Sequence, residues 1–129
     1  YEPLPGEGWV RLLIIEPRLM PGFRCHMRNV ELNNALGRYE ALSYRWEDSE
    51  NDRHADMSKL DGITCNGFPM MLKRNLHLAL TNLRYRVRPR ILWIDAICIN
   101  QDDAKERSRQ VELMGTIYRH SSRTIIWLG

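Results

Sequence analysis

Side chains able to bind a ligand or transfer a proton follow an apolar run in LWIDAICINQDD, Leu92 to Asp103. The apolar start of this segment is typical of a buried strand, so Asp95 lies where the chain leaves the sheet. A carboxylate there can bind a ligand or accept hydrogen bonds from the backbone of the following turn. Both roles remain open for Asp95, and Gln101 belongs to the same segment. For Asn100 and Asp102 the backbone-binding role is favoured.

A second polar group ends the apolar run ALSYRW, Ala41 to Trp46. Arg45 carries a fork of donors suited to phosphate or carboxylate, and the Trp46 indole can stack on a base or another ring. The structural alternative is an ion pair of Arg45 with Asp95 or Glu47, with Trp46 in the core. In both interpretations the segment ends a strand and leads into a polar stretch with the composition of an exposed loop.

The first half of the chain has the patterns of antiparallel strands. WVRLLIIEP (Trp9 to Pro17) is rich in strand-forming residues, and FRCHMRNVEL (Phe23 to Leu32) alternates imperfectly between apolar and polar residues. They are expected to form an antiparallel pair, at an edge of the sheet or as an appended hairpin layer. ITCNGFPMML, Ile63 to Leu72, contains Asn66-Gly67 between two short apolar pieces, which predicts a tight hairpin.

Two segments of the second half have helical periodicity. The first follows Asn75 as N-cap and must end before Pro89, and its apolar face consists of Leu76, Ala79, Leu80 and Leu83. The second runs from about Asp103 to Arg119, where Asp103 and Glu106 have the spacing of a capping box. This helix is expected to bury Val111, Met114 and Ile117 and to expose Glu106, Arg109 and Glu112.

Strands and helices alternate through the second half, which predicts an α/β fold. RILWIDA and RTIIWLG are short continuous apolar runs, as in strands of a parallel sheet covered on both faces by helices. Right-handed crossovers place the carboxyl ends of ALSY, ILWI and TIIWL on one rim, where open α/β sheets bind ligands. The candidate ligand-binding residues at this rim are Ser43, Tyr44, Arg45, Trp46, Asp95, Asn100 and Gln101.

The composition is that of a globular domain. The 129 residues fit one domain, and 43% hydrophobic with 27% charged residues is ordinary for a soluble protein. No apolar run approaches the about 20 residues that span a bilayer, and no segment has the pattern of a secretory signal. Three cysteines without CxxC spacing argue against a disulfide framework. A reducing, cytoplasmic setting is therefore expected.

Other sites are not indicated by the residue spacing. Cys98 paired with a histidine would be a nucleophile, but a buried structural cysteine fits better. No HxxxH or Cys/His cluster predicts a metal site, and neither GxGxxG nor a P-loop predicts a phosphate-binding turn. The arginines of RYRVRPR, Arg84 to Arg90, suit the end of a helix better than contact with phosphate, so a nucleic-acid partner is not expected.

Taken in order, the motifs resemble the fungal heterokaryon-incompatibility (HET) domain. The resemblance runs from about Val10 to Gly129, and its most specific parts are ALSYRW, LWIDAICINQ with the following ER..QV..M..IY, and the closing WLG. Two positions depart from the family pattern, because Glu47 stands where glycine is common and a serine in HSSRTIIWLG stands where alanine is usual. The chain is expected to be one HET domain over residues 1–129, truncated at its C-terminal side from a longer protein.

The resemblance implies a role in non-self recognition and innate immunity of fungi. An encounter between incompatible partners triggers programmed cell death in fused cells, and the HET domain is the death effector. Its expected partners are other copies of the same domain, or sensor and nucleotide-binding modules of the full-length protein. These expectations come from the resemblance and not from residue spacing.

A more distant similarity links YEALSYRWED and the order ID…Q…IY.HSS.TIIWLG to the Toll/interleukin-1 receptor (TIR) domain. It implies a TIR-like or flavodoxin-like sheet. Some TIR domains split NAD with a glutamate on the helix after the strand that TIIWLG would match, and that helix would follow Gly129. NAD is thus the one substrate implied, no other cofactor is indicated, and the catalytic residues stay unassigned. Glu47 and Asp95 are the rim carboxylates available for such cleavage.

Overall fold

Seven strands and three α-helices build the part of the chain that the computed structural model describes, residues 1–44 and 60–128. The strands are β1 (Trp9–Ile15), β2 (Arg24–Glu31), β3 (Glu40–Tyr44), β4 (Leu60–Cys65), β5 (Phe68–Lys73), β6 (Arg90–Trp93) and β7 (Thr124–Trp127). The helices are α1 (Arg74–Leu83), α2 (Asp95–Cys98) and α3 (Ala104–His120). A 3-10 turn over Leu32–Asn34 follows β2.

All seven strands form one mixed sheet in the order β5-β4-β2-β1-β6-β3-β7. β6, β3 and β7 are parallel, and β1 runs antiparallel to both of its neighbours. The predicted α/β class, the flanking helices and the N-terminal antiparallel pair are confirmed. The pair lies inside the sheet instead of at its edge, because every residue from Val10 to Ile15 is apolar or paired and buried on both faces.

The hairpin predicted at Asn66-Gly67 joins β4 to β5. Both turn residues have positive φ, 53° at Asn66 and 81° at Gly67, as a two-residue turn of this kind requires. Asparagine tolerates that conformation and glycine adopts it without strain, so these two residue types select the turn.

Helix α1 has the predicted buried face but begins earlier than predicted. Its N-cap is Lys73 and not Asn75, because β5 continues directly into the helix. The buried residues of α1 are Leu76, Ala79 and Leu80. The helix ends at Leu83, before Pro89 as expected. No helix in residues 1–44 and 60–128 is long and apolar enough to cross a membrane.

Helix α3 begins as predicted, but its buried face is rotated. The Asp103 side chain accepts hydrogen bonds from the backbone N–H groups of Lys105 and Glu106. Ile117 is buried, Met114 is partly buried, and Arg109 and Glu112 are exposed, in agreement with the periodicity.

The prediction was wrong for two residues of α3, because Val111 was expected to be buried and Glu106 to be exposed. Val111 is 56% exposed, and the Glu106 side chain is largely buried. Polar contacts with β1 explain the difference. Gln110 is buried and its amide donates to the carbonyl of Trp9, while Glu106 binds the buried Arg11. These two contacts turn the helix so that its inner face includes polar residues.

Two arginines of RYRVRPR, Arg84 and Arg90, bind protein groups at the opposite end of the sheet from the rim. Arg84 donates to the backbone carbonyls of Glu16, Pro17 and Gly22. Arg90 forms a buried two-point ion pair with Glu40, at 2.8 and 3.0 Å, and Glu40 also accepts from Arg123. These contacts tie α1 and the start of β6 to the sheet.

Candidate functional site

The predicted rim exists at the carboxyl ends of β6, β3 and β7. Tyr44, the last residue of β3, is in register with Trp127, the last residue of β7. β6 is the parallel neighbour of β3 on the other side, and Asp95 follows it at the start of α2. Because β1 is antiparallel to β6, the amino-terminal half of β1 reaches the same rim.

Asp95 is a partly buried carboxylate with two phenols near it. Burial raises its pKa above the ordinary value, and hydrogen bonds from the backbone N–H groups of Asp95 and Ala96 oppose part of that rise. Burial also raises the pKa of Tyr44 and Tyr118, and the charge of Asp95 raises both further. The structure therefore brings an aspartate at the start of α2 together with a tyrosine from β3 and another from α3.

Two indoles flank this group. Trp93 is fully buried and packs edge-on against Tyr118, with ring centroids 5.7 Å apart. Trp127 is partly buried at the end of β7. Within residues 1–44 and 60–128, neither Trp93 Nε1 nor Trp127 Nε1 has a hydrogen-bond partner, although both atoms are buried. Trp93 therefore packs behind Tyr118, and Trp127 lies beside Tyr44 at the end of the neighbouring strand.

Asn100 and Gln101 shape the loop after α2. The Asn100 side-chain oxygen accepts from the backbone N–H of Asp102, at 3.2 Å. The Gln101 amide donates to the backbone carbonyls of Asp95 and Ile99, at 3.0 and 3.4 Å. In this arrangement both side chains bind backbone groups, and Gln101 fixes the carbonyl of the residue that carries the rim carboxylate.

The remaining candidate residues are not all brought together. Ser43 is partly buried and is in register with Ile126, so by strand alternation its side chain lies on the opposite face of the sheet from Tyr44. Arg45, Trp46 and Glu47 lie outside the described residues. The ion pair of Arg45 with Asp95 or Glu47, and the role of Trp46 in stacking or in the core, stay predictions.

A buried ion pair between Arg11 and Glu106 holds the loop after α2 against β1. The sequence analysis did not predict this ion pair. Arg11 of β1 binds both carboxylate oxygens of Glu106, at 2.9 and 2.5 Å, and donates to the carbonyls of Cys98 and Glu2. Glu106 also accepts from the backbone N–H of Asn100, at 2.5 Å. One carboxylate thereby joins β1, the end of α2 and the loop that carries the rim. A charged residue inside the apolar strand WVRLLII was the available signal, because a buried arginine needs a partner.

Cys98 has the structural role predicted for it. Its thiol is fully buried at the end of α2, and the sulfur accepts from the backbone N–H of Ile94, at 3.4 Å. Burial raises the pKa of this thiol to about 12, so it is protonated and unreactive at neutral pH.

Acid is expected to destabilise the fold through Glu40 and Glu106. Burial alone would raise the pKa of each carboxyl, but hydrogen bonds and charges from Arg90 and Arg123 on Glu40, and from Arg11 on Glu106, outweigh it and lower the pKa below 4.5. The folded state then binds fewer protons than the unfolded state, so this stability is present above the unfolded pKa and is lost as pH falls through the lowered folded pKa.

Denaturant unfolding between about pH 6 and about pH 3 measures this effect. The free energy of unfolding should fall steadily below pH 4.5, and Glu40→Gln should weaken that dependence. Asp95 contributes with the opposite sign because its pKa is raised. A stability that rises as the pH falls through this range would contradict the assigned ion pairs.

The class of protein follows from comparison with known sequences. Residues 39–129, which contain β3 to β7 and the candidate rim residues, match the family described as heterokaryon incompatibility protein (HET). The chain belongs to this family, which confirms the resemblance seen in its motifs.

A relative is heterokaryon incompatibility protein 6, OR allele, of Neurospora crassa. It is 41% identical over 96 residues, which are 70% of this chain and 14% of the relative. The chain therefore spans a small part of the length of that protein. No solved structure matches the chain. The distant similarity to TIR domains stays a prediction.

Proposed function

We propose that this chain is the effector module of a larger fungal protein that acts in heterokaryon incompatibility and triggers regulated cell death when copies associate. The observation that carries this proposal is the family match over residues 39–129, together with 41% identity to a protein named for incompatibility. The matched residues include the carboxyl ends of β6, β3 and β7 and the segment with Asp95, Asn100 and Gln101.

The edge of the sheet supports association of copies. β7 has a neighbour on one side only within the described residues, and its Ile126 is 69% exposed, followed by Leu128. A strand edge with unpaired backbone groups and apolar side chains pairs readily with another strand. Val111 of α3 is exposed as well. These apolar groups fit contact with a second copy or with a sensor module.

The proposal predicts that Asp95→Asn in the full-length protein abolishes killing and leaves folding intact. Asparagine keeps an oxygen that accepts the backbone hydrogen bonds of α2, and burial already disfavours the charged carboxylate, so little stability should be lost. Asp102→Asn, at an exposed position in the same loop, is the matched control and should kill like the unchanged protein. Viability of expressing cells, soluble yield and crosslinking of copies are measured together.

Three results of this experiment have different meanings. Killing by Asp95→Asn at the level of the unchanged protein would remove the rim from the mechanism. Loss of killing together with loss of soluble protein would assign Asp95 to the fold. Loss of killing with normal folding supports the rim, and the crosslinking result then shows whether the variant still associates.

A second candidate function, cleavage of NAD, rests on Asp95 itself. Breaking a glycosidic bond needs a carboxylate beside the developing oxocarbenium-like centre, and Asp95 is a rim carboxylate with Tyr44 and Tyr118 near it. The same full-length variants can be assayed for NAD loss. Consumption by the unchanged protein and not by Asp95→Asn supports an enzyme. Killing without NAD loss leaves association as the mechanism.

A further inference from the structure

Two buried cysteines that are not among the candidate rim residues lie side by side on neighbouring strands. Cys25 of β2 and Cys65, the last residue of β4, are direct register partners in a parallel pair. Register partners of a parallel pair point to the same face of the sheet. Both thiols are reduced and belong to the apolar core.

The two thiols contact each other, and the contact makes them unequal. A side-chain hydrogen bond from Cys25 lowers the pKa of Cys65 despite the opposing effect of burial, and the same bond together with burial raises the pKa of Cys25. Cys65 is therefore the sulfur that carries negative charge more easily, and Cys25 holds the proton. The thiolate is the nucleophilic form of cysteine, so Cys65 is the more reactive of the pair.

A surface groove gives small molecules access to Cys65. The groove has a volume of about 910 Å³, and its lining includes Cys65, Tyr1, Met27, Phe68 and Met70. Cys98 does not line it and is fully buried. Cys65 therefore lies at the wall of a groove open to solvent, and Cys25, which is not among the lining residues, is its register partner on β2.

The strand geometry suits a disulfide without movement of the sheet. Neighbouring strands are about 4.7–4.9 Å apart, and disulfides form between Cα atoms about 4.4–6.8 Å apart. A bond between direct register partners is at the short end of that range.

We propose that Cys65 and Cys25 are a peroxide-oxidisable thiol pair that forms a reversible disulfide between β4 and β2. The Cys65 thiolate attacks hydrogen peroxide, the O–O bond breaks, one oxygen becomes the sulfenic acid on Cys65, and the other leaves as hydroxide. The Cys25 sulfur then attacks the Cys65 sulfur, the S–O bond breaks, and the sulfenic oxygen leaves as water with the Cys25 proton. A dithiol reductant reverses the change by thiol–disulfide exchange.

The disulfide would link the β4–β5 hairpin covalently to β2 and so to the rest of the sheet. β2 and β4 are joined by two register pairs only, Arg24 with Thr64 and Cys25 with Cys65. A short ladder of this kind opens more easily than the long β1–β2 ladder, so a covalent link there changes the stability of the hairpin more than that of the core. Oxidation therefore has a structural consequence at one defined place.

Mass spectrometry of the folded chain after limited treatment with hydrogen peroxide tests the proposal. Remaining thiols are alkylated under denaturing conditions before digestion. The expected product is a linked peptide pair containing Cys25 and Cys65, lighter than the reduced pair by two hydrogen atoms, with Cys98 alkylated. Dithiothreitol should restore both thiols, and Cys65 should react at least about tenfold faster than Cys98.

Single variants identify the order of the two steps. Cys25→Ser should leave the Cys65 sulfenic acid without a partner, so that dimedone labels Cys65. Cys65→Ser should leave Cys25 unlabelled. Cys98→Ser is the matched control and should form the disulfide at the rate of the unchanged chain. Circular dichroism reports whether each variant is folded.

The unchanged chain alone is sufficient to reject the proposal. Equal oxidation of all three cysteines would reject it, as would a disulfide that forms only at the rate of global unfolding. A linked pair containing Cys98 would reject it as well. None of these outcomes depends on killing or on NAD, so the proposal stands or falls independently of the function of the rim.

Discussion

Glu106→Ala is expected to lower the free energy of unfolding by about 3–5 kcal/mol. The substitution leaves the Arg11 guanidinium, whose residue is 1% exposed, without its carboxylate partner inside the protein. It also removes the acceptor for the backbone N–H of Asn100. Breaking one side of a buried ion pair costs far more than removing a surface charge, because the remaining charge has lost its hydration as well as its partner.

Urea denaturation at neutral pH measures this loss, with Glu112→Ala as the matched control. Glu112 lies on the same helix and is exposed, so its removal should change stability by less than about 0.5 kcal/mol. The double variant Arg11→Met with Glu106→Leu should recover much of the loss, since it removes both charges. A Glu106→Ala protein as stable as the unchanged chain would show that the ion pair is not formed in solution.

Trp93→Ala is expected to cost about 3–5 kcal/mol as well, through loss of packing. Trp93 is fully buried at the end of β6, and Tyr118 packs edge-on against it. Truncation leaves a cavity between the sheet and α3 that the surrounding side chains fill only in part. Because Tyr118 also borders Asp95, the same change is expected to disturb the rim.

Trp93→Phe separates packing from hydrogen bonding. Phenylalanine retains most of the ring volume and removes an indole N–H that has no partner among the described residues. A buried donor without a partner is unfavourable, so Trp93→Phe should cost much less than Trp93→Ala. Phe68→Ala, at a position 74% exposed, is the surface control and should cost little. Equal losses for the two Trp93 variants would mean that the indole donor has a partner in solution.

The strands and the hairpin were predictable because local chemistry determines them. Asn66-Gly67 tolerates the positive φ values of a two-residue turn, and few other residue pairs do. The short apolar runs around Trp93 and Ile125 predicted parallel strands, which is confirmed, but β7 is an edge strand with Ile126 exposed and is not covered on both faces as predicted. Asp103 caps α3 through its own side chain, so that boundary was also visible locally.

Long-range polar contacts were not predictable from periodicity. Arg11 and Glu106 are 95 residues apart in sequence, and hydrophobic pattern alone places a glutamate on the exposed face of a helix. The actual helix turns Glu106 and Gln110 inward and leaves Val111 exposed. The ion pair therefore set the rotation of the helix, and a pattern of apolar residues carries no information about it.

The position of the candidate rim at the strand ends was predictable from the sequence, but the set of side chains that meet there was not. Parallel strand ends meet at one rim by topology, so Asp95 and Tyr44 lie at the same end of neighbouring strands, while binding of a ligand there stays a prediction. Tyr118 and Trp127 join them only because of how α3 and β7 pack on the sheet. The separation of Ser43 from Tyr44, in contrast, follows from strand alternation alone, because adjacent residues of a strand point to opposite faces.

The position of β1 shows that the folded domain needs residues that precede the segment matched by the family. The family match begins at residue 39, yet β1 is the central strand of the sheet and lies between β2 and β6. A protein shortened to the matched residues would leave one edge of β6 unpaired and Glu106 without Arg11. Such edges recruit other strands and promote aggregation. Recombination or gene fusion at the start of the matched segment would therefore transfer the family motifs without the strand that pairs with β6 and without the partner of Glu106.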